Sequence, residues 1–174
     1  MNGNWLRVSP DELKRAKTDL DWAYGLAMTH RDGDSERWTT TGKAWHGLDF
    51  LLERLGFDIP LVLGAEGFVE LPDVEPDSEE MFDFLDGLED DWGYGPPSYL
   101  RPIHVATAAS RLTALTEDDL VRGVDAQELN RAEIYPGPWK GPGDLAWVAH
   151  HLPGVRSFFA AAAGDGAAVV CWLD

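Results

Sequence analysis

A chain of 174 residues, 44% hydrophobic and 26% charged, is long enough for one domain with a sizeable core, and that balance excludes the disordered, collagen-like and disulfide-framework classes. Its 31 acidic side chains against 14 basic ones give a net charge of -17, which repels phosphate backbones and anionic lipid alike, so neither nucleic acid nor membrane is expected as a partner. The single Cys171 sits in an apolar run and reads as a buried structural thiol. No window is apolar enough for a membrane span and the start of the chain lacks a signal-peptide pattern, so the cytoplasm is the expected compartment. Ten of the fourteen basic residues are Arg, and with the abundant Ala, Gly and Asp this is the composition of a high-GC bacterial genome.

Along the chain, Trp5 to Val8 alternates like a half-buried strand. Ser9, Pro10 and Glu12 then spell a capping box with proline in the first turn, and Leu13, Ala16, Leu20 and Ala23 recur at helical spacing with a break near Thr18 and Asp19. Thr41 is the expected cap of the next helix, in which Trp45, Leu48, Leu52 and Leu55 share a stripe before Gly56 ends it. Between Phe57 and Leu71, apolar runs split by Gly and Pro predict one or two short strands. Residues 73–91 carry ten acidic side chains and read as a peripheral excursion, with Ser78 capping a short amphipathic helix. Gly93 to Pro97 is a turn or extended connector, Pro102 starts a helix, and Thr116 and Asp125 cap two more. A helical region from about Asp144 to Ala163, divided by Pro153, precedes a final buried strand from Ala167 to Leu173. The two terminal strands are expected in one small sheet covered by helices, a single α+β domain.

The order of three segments resembles the YfbM-like family of bacterial proteins, a domain of unknown function. They are the helix Lys43-Ala44-Trp45-His46-Gly47-Leu48-Asp49-Phe50-Leu51-Leu52, the connector Tyr94-Gly95-Pro96-Pro97-Ser98-Tyr99-Leu100, and the run from Leu129 to Trp139 that contains Tyr135-Pro136-Gly137-Pro138-Trp139. The terminal elements fit as well, so the resemblance spans nearly the whole chain, with an acidic stretch longer than is usual there. It implies a compact α+β domain and no particular reaction.

Nucleotide-binding loops, zinc signatures and the nucleophile elbow are absent, so no cofactor and no metal are expected. His46, Asp49 and Glu53 share one helix face, which reads more readily as a polar surface than as an acid–base or metal face. His150 and His151 diverge around a helix and suit a helix end, as does His30, while His104 suits a hydrogen-bonded boundary position. The most informative group is Glu133, Tyr135 and Trp139 around two prolines, with Tyr99 and His46 as further ligand-binding candidates where the Tyr94–Tyr99 connector meets the Glu133–Trp139 loop. The residues thus favour a non-enzymatic binding protein for a protein or small ligand. The alternative is a hydrolase-like enzyme using Glu133, Tyr135 or His46, and a homo-oligomeric scaffold stays open.

Overall fold

In a computed structural model, residues 1–33, 35–70, 72–75, 78–86 and 92–174 are described, with the side chains of 85 and 86 set aside. The two ends of the chain form the middle of one sheet: β1 (Gly3–Val8) and β5 (Ala168–Leu173) run antiparallel, with Trp5 opposite Cys171 and Leu6 opposite Val170. β2 (Trp38–Gly42) adds to the other side of β1, while β4 (Ser98–Leu100) and the two-residue β3 (Glu66–Gly67) extend the sheet beyond β5. The order is β2-β1-β5-β4-β3 and every pairing is antiparallel.

Both sheet faces are covered, and the period-2 alternation of the strands sorts the residues between them. Trp5, Val169, Cys171 and Leu100 enter the larger core, with α3 (Trp45–Arg54), α5 (Pro102–Thr113), α8 (Pro142–Ala149) and α9 (Leu152–Gly164). Leu6, Val8, Val170, Trp172 and Tyr99 enter the smaller one, under α1 (Pro10–Ala16) and α2 (Leu20–Asp32). Tyr24, Trp92 and Trp172 meet there edge to face, at centroid distances of 5.4 and 5.5 Å. The domain is therefore α+β, with its terminal strands paired as expected.

Local chemistry sets most element ends. Ser9 accepts from the Glu12 amide while the Glu12 carboxylate accepts from the Ser9 amide, and Asp19 caps α2 after the break at residues 17–19. Thr116 and Asp125 close capping boxes on α6 (Glu117–Val121) and α7 (Ala126–Arg131). Ser78 Oγ accepts from Met81 N at the start of α4 (Glu79–Asp86). Pro153 stands in the first turn of α9, so it divides α8 from α9 as its missing N–H requires.

Three local expectations need correction. Thr41 belongs to β2, its hydroxyl is buried without a partner, and α3 starts from Ala44 with no side-chain cap. Leu55 lies outside the buried stripe, 41% exposed, because the chain turns away at Gly56 with φ +74°. Between Phe57 and Val69 one short strand forms, as expected, but at Glu66–Gly67 and not in the Ile59–Leu63 run; Leu61 and Val62 are buried in turns, where the Leu61 carbonyl accepts from the Trp5 indole at 2.6 Å. Leu71, and within the acidic stretch residues 76–77 and 87–91, lie outside the described residues.

Candidate functional site

Two places gather the sequence candidates. The first is a corner where the loop after α7 folds against α3. Tyr135 N donates to His46 Nδ1 at 3.1 Å, which leaves the neutral ring carrying its proton on Nε2. Burial lowers the His46 pKa against a smaller opposing pull from Glu53, so the ring is neutral at pH 7. Its plane stacks on Trp45 at 4.7 Å, and Tyr135 lies on Trp45 at 6.3 Å. The Tyr135 hydroxyl accepts from the Met1 ammonium at 3.3 Å.

Trp139 is part of the core rather than an open stacking surface. Its indole donates to the Ile134 carbonyl at 2.7 Å, its main-chain N–H and C=O are both held by the Asn130 side chain, and its ring lies over Gly47 of α3. A Cβ at Gly47 would stand 2.9 Å from that ring and from Val148. Glu133 is exposed, with φ +54°, in a conformation side chains rarely adopt. It borders a shallow hollow of about 290 Å³ with Tyr135 and Pro136. The loop thus sets Tyr135 against His46 and Trp139 against Gly47, with their polar groups already engaged: His46 by the Tyr135 amide, the Tyr135 hydroxyl by Met1, and Trp139 by Ile134 and Asn130.

Tyr99 is not part of that corner. It sits on β4 on the opposite face of the sheet, donates to Glu66 Oε2 at 2.7 Å, and carries the Lys17 ammonium over its ring at 4.4 Å. Glu66 also pairs with Arg101, and the Tyr99 hydrogen bond, then Arg101, hold its carboxyl below the usual range. The Tyr94–Tyr99 connector and the Glu133–Trp139 loop therefore border different hollows.

The connector forms one wall of the second place, a cleft of about 520 Å³. Residues 62–67 form the opposite wall, Met81 of α4 closes one side, and residues 171–173 of β5 lie at the floor. The lining is mostly apolar and includes Leu63, Pro96 and Pro97. Leu63 and Tyr94 are large apolar side chains left 51% and 62% exposed at its rim. Gly64, at φ +68°, turns the arm against β4 so closely that a Cβ there would strike Ser98, whose hydroxyl donates to the Leu63 carbonyl. At the floor, burial drives the Cys171 thiol far above its ordinary pKa, leaving it inert and packed, and it is free of any disulfide.

The arm of this cleft escaped the sequence reading because an apolar run broken by glycine looks like a strand. The usable signal was Leu63-Gly64-Ala65, where an apolar side chain precedes a turn residue instead of alternating with polar ones.

The remaining polar groups are dispersed. Asp49 and Glu53 of α3 border a hollow of about 260 Å³ beside Phe57 and Ile59, and burial, then the Glu53 charge, pushes the Asp49 carboxyl up to about 6. His150 and His151 mark the α8–α9 junction, and His150 Nδ1 is 3.8 Å from Glu117. His104 was expected to be hydrogen-bonded, yet its Nδ1 is buried without a partner. Among the described residues no group of three or more His, Cys, Asp or Glu converges as a metal site, and no helix is long and apolar enough to cross a membrane.

This architecture is similar to that of the protein of unknown function YfbM from Escherichia coli: the match spans 99% of this chain and 100% of that one at a TM-score of 0.59. At 19% identity that likeness speaks for the fold alone. No curated protein matches the chain. Residues 1–172, however, match the family described as a domain of unknown function (DUF1877), and the chain belongs to that family.

Proposed function

We propose that this protein is a non-enzymatic cytoplasmic binding protein whose recognition surface is the cleft between residues 62–67 and the Tyr94–Ser98 connector, and that it takes up an apolar segment of a protein partner. The observation that carries the reading is the cleft itself. At about 520 Å³ it falls within the range of ligand sites, its walls are apolar, and Leu63 and Tyr94 stand exposed at its rim where an isolated fold gains nothing from them. Paired prolines and a short strand hold the walls, so little ordering is spent on binding. A lone buried thiol suits a reducing compartment.

The polar–aromatic corner supports a hydrolase less well. His46 Nδ1 and the Tyr135 hydroxyl already hold hydrogen bonds to neighbours, and Glu133 stands exposed. The test is titration with an uncharged dye that fluoresces in apolar surroundings. The wild type should bind it at one site, and Leu63→Ser with Tyr94→Ser should weaken it about tenfold with thermal stability unchanged. Dye affinity untouched by that pair of changes would place the recognition surface elsewhere.

A further inference from the structure

Resting on that reading, we infer that the segment the cleft accepts is cationic as well as apolar: an extended stretch of a basic protein in which apolar side chains enter the cleft and Lys or Arg side chains meet a surrounding field of carboxylates. The chain that builds both walls is unusual in charge. From residue 56 through residue 100 it contains thirteen Asp and Glu and not one Lys, Arg or His. Both facing walls and Met81 come from that stretch, and only the β5 floor does not.

The cations nearest this region are already engaged. Arg101 is paired with Glu66, Lys17 lies on the Tyr99 ring, and Arg31 holds Asp174 beside the connector at 3.1 Å. Glu70, Glu79 and Glu80 are exposed, and among the described residues none of them forms an ion pair. An apolar cleft built by a stretch this rich in carboxylates repels acidic partners, leaves neutral ones unaffected and attracts a basic one at long range. A segment that lies along the cleft in extended form alternates its side chains, one set inward and the next outward. That periodicity sets apolar residues in the cleft and Lys or Arg against the carboxylates beside it.

The experiment uses the full chain and arrayed twelve-residue peptides whose alternate positions are randomised among apolar residues, the intervening positions being fixed as Lys, Gln or Glu. Binding should concentrate in the Lys set. It should weaken about tenfold between low and high salt, and should lose its preference for Lys in the variant Glu70→Gln, Glu79→Gln, Glu80→Gln. Equal binding to all three sets, or binding indifferent to salt, overturns the charge inference and leaves an apolar cleft standing. Lys-peptide binding that persists undiminished in Leu63→Ser with Tyr94→Ser overturns it too, since the peptides then adhere to the acidic surface alone. Failure of every peptide while the uncharged dye still binds points to a small apolar ligand and likewise overturns it, whereas failure of dye and peptides together removes the binding reading beneath it.

Discussion

Asn130 holds Trp139 as one strand holds the next: Trp139 N donates to Asn130 Oδ1 at 2.8 Å and Asn130 Nδ2 donates to the Trp139 carbonyl at 2.7 Å. Removing that side chain leaves both groups of a buried residue without partners, so Asn130→Ala should cost about 2–3 kcal/mol in denaturant unfolding. Asp49 behaves in the opposite sense. Its folded pKa, about 6, lies above the ordinary value of 3.8, so the native state binds the proton more tightly and stability falls as pH rises through that window. Asp49→Asn should therefore stabilise the protein at pH 7 by on the order of 1 kcal/mol, allowing for solvent screening at a half-buried site. The gain should vanish near pH 4, as melting curves at the two pH values would show. His46 is lowered instead, so its contribution is lost as pH falls through its unfolded value of 6.5. None of these roles was legible from residue type. Glu133, Tyr135, Trp139 and His46 read as one cluster in the sequence, and His46 and Tyr135 do meet, but only the geometry reveals that His46 Nδ1 is taken by the Tyr135 amide, the Tyr135 hydroxyl by Met1 and the Trp139 indole by the Ile134 carbonyl.

At the scale of elements, the helices with a local code could be read directly. Ser9 with Glu12, Thr116 with Asp119 and Asp125 with Glu128 each declare a start that the structure repeats, and Gly56 declares a stop. β2 and β4 could not be read. Trp38-Thr39-Thr40-Thr41-Gly42 lacks apolar alternation and is a strand because β1 offers it a pairing edge, while Ser98–Leu100 is too short to carry a period at all. Hence the caps are testable one at a time: Ser9→Ala should cost about 1 kcal/mol through α1 alone. Gly47→Ala is a sterner test of packing. Its new methyl meets Trp139 and Val148 at 2.9 Å, and although alanine favours a helix, the variant should lose about 1–2 kcal/mol net, measured by thermal unfolding.

For the whole molecule, a charge of -17 is tolerable at neutral pH partly because several carboxylates are individually held. Glu66 is lowered by the Tyr99 hydroxyl, Asp119 by Thr116 and Glu128 by the Asp125 amide; burial alone would raise Glu12, but the Arg37 guanidinium and the Ser9 amide bring it down. Each contributes stability above its unfolded pKa that is lost as pH falls through its lower folded one, so acid should unfold the protein below about pH 4 despite the relief of repulsion. We expect the acidic stretch 73–91 to be dispensable to folding. Replacing it by a short Gly-Ser bridge should leave cooperative unfolding intact while removing Met81 from the cleft, and loss of cooperativity in calorimetry would refute that.

The pairing of β1 with β5 has a consequence for how the chain comes to be folded. β5 lies between β1 and β4, yet it is synthesised more than 150 residues after β1, so the sheet stays divided until residues 168–173 have left the ribosome. Until then β1 and β4 both wait with an open flank for the same missing strand. A nascent chain stalled before residue 168 would offer two unpaired edges to its neighbours, and it is at that moment, rather than in the finished molecule, that aggregation is nearest.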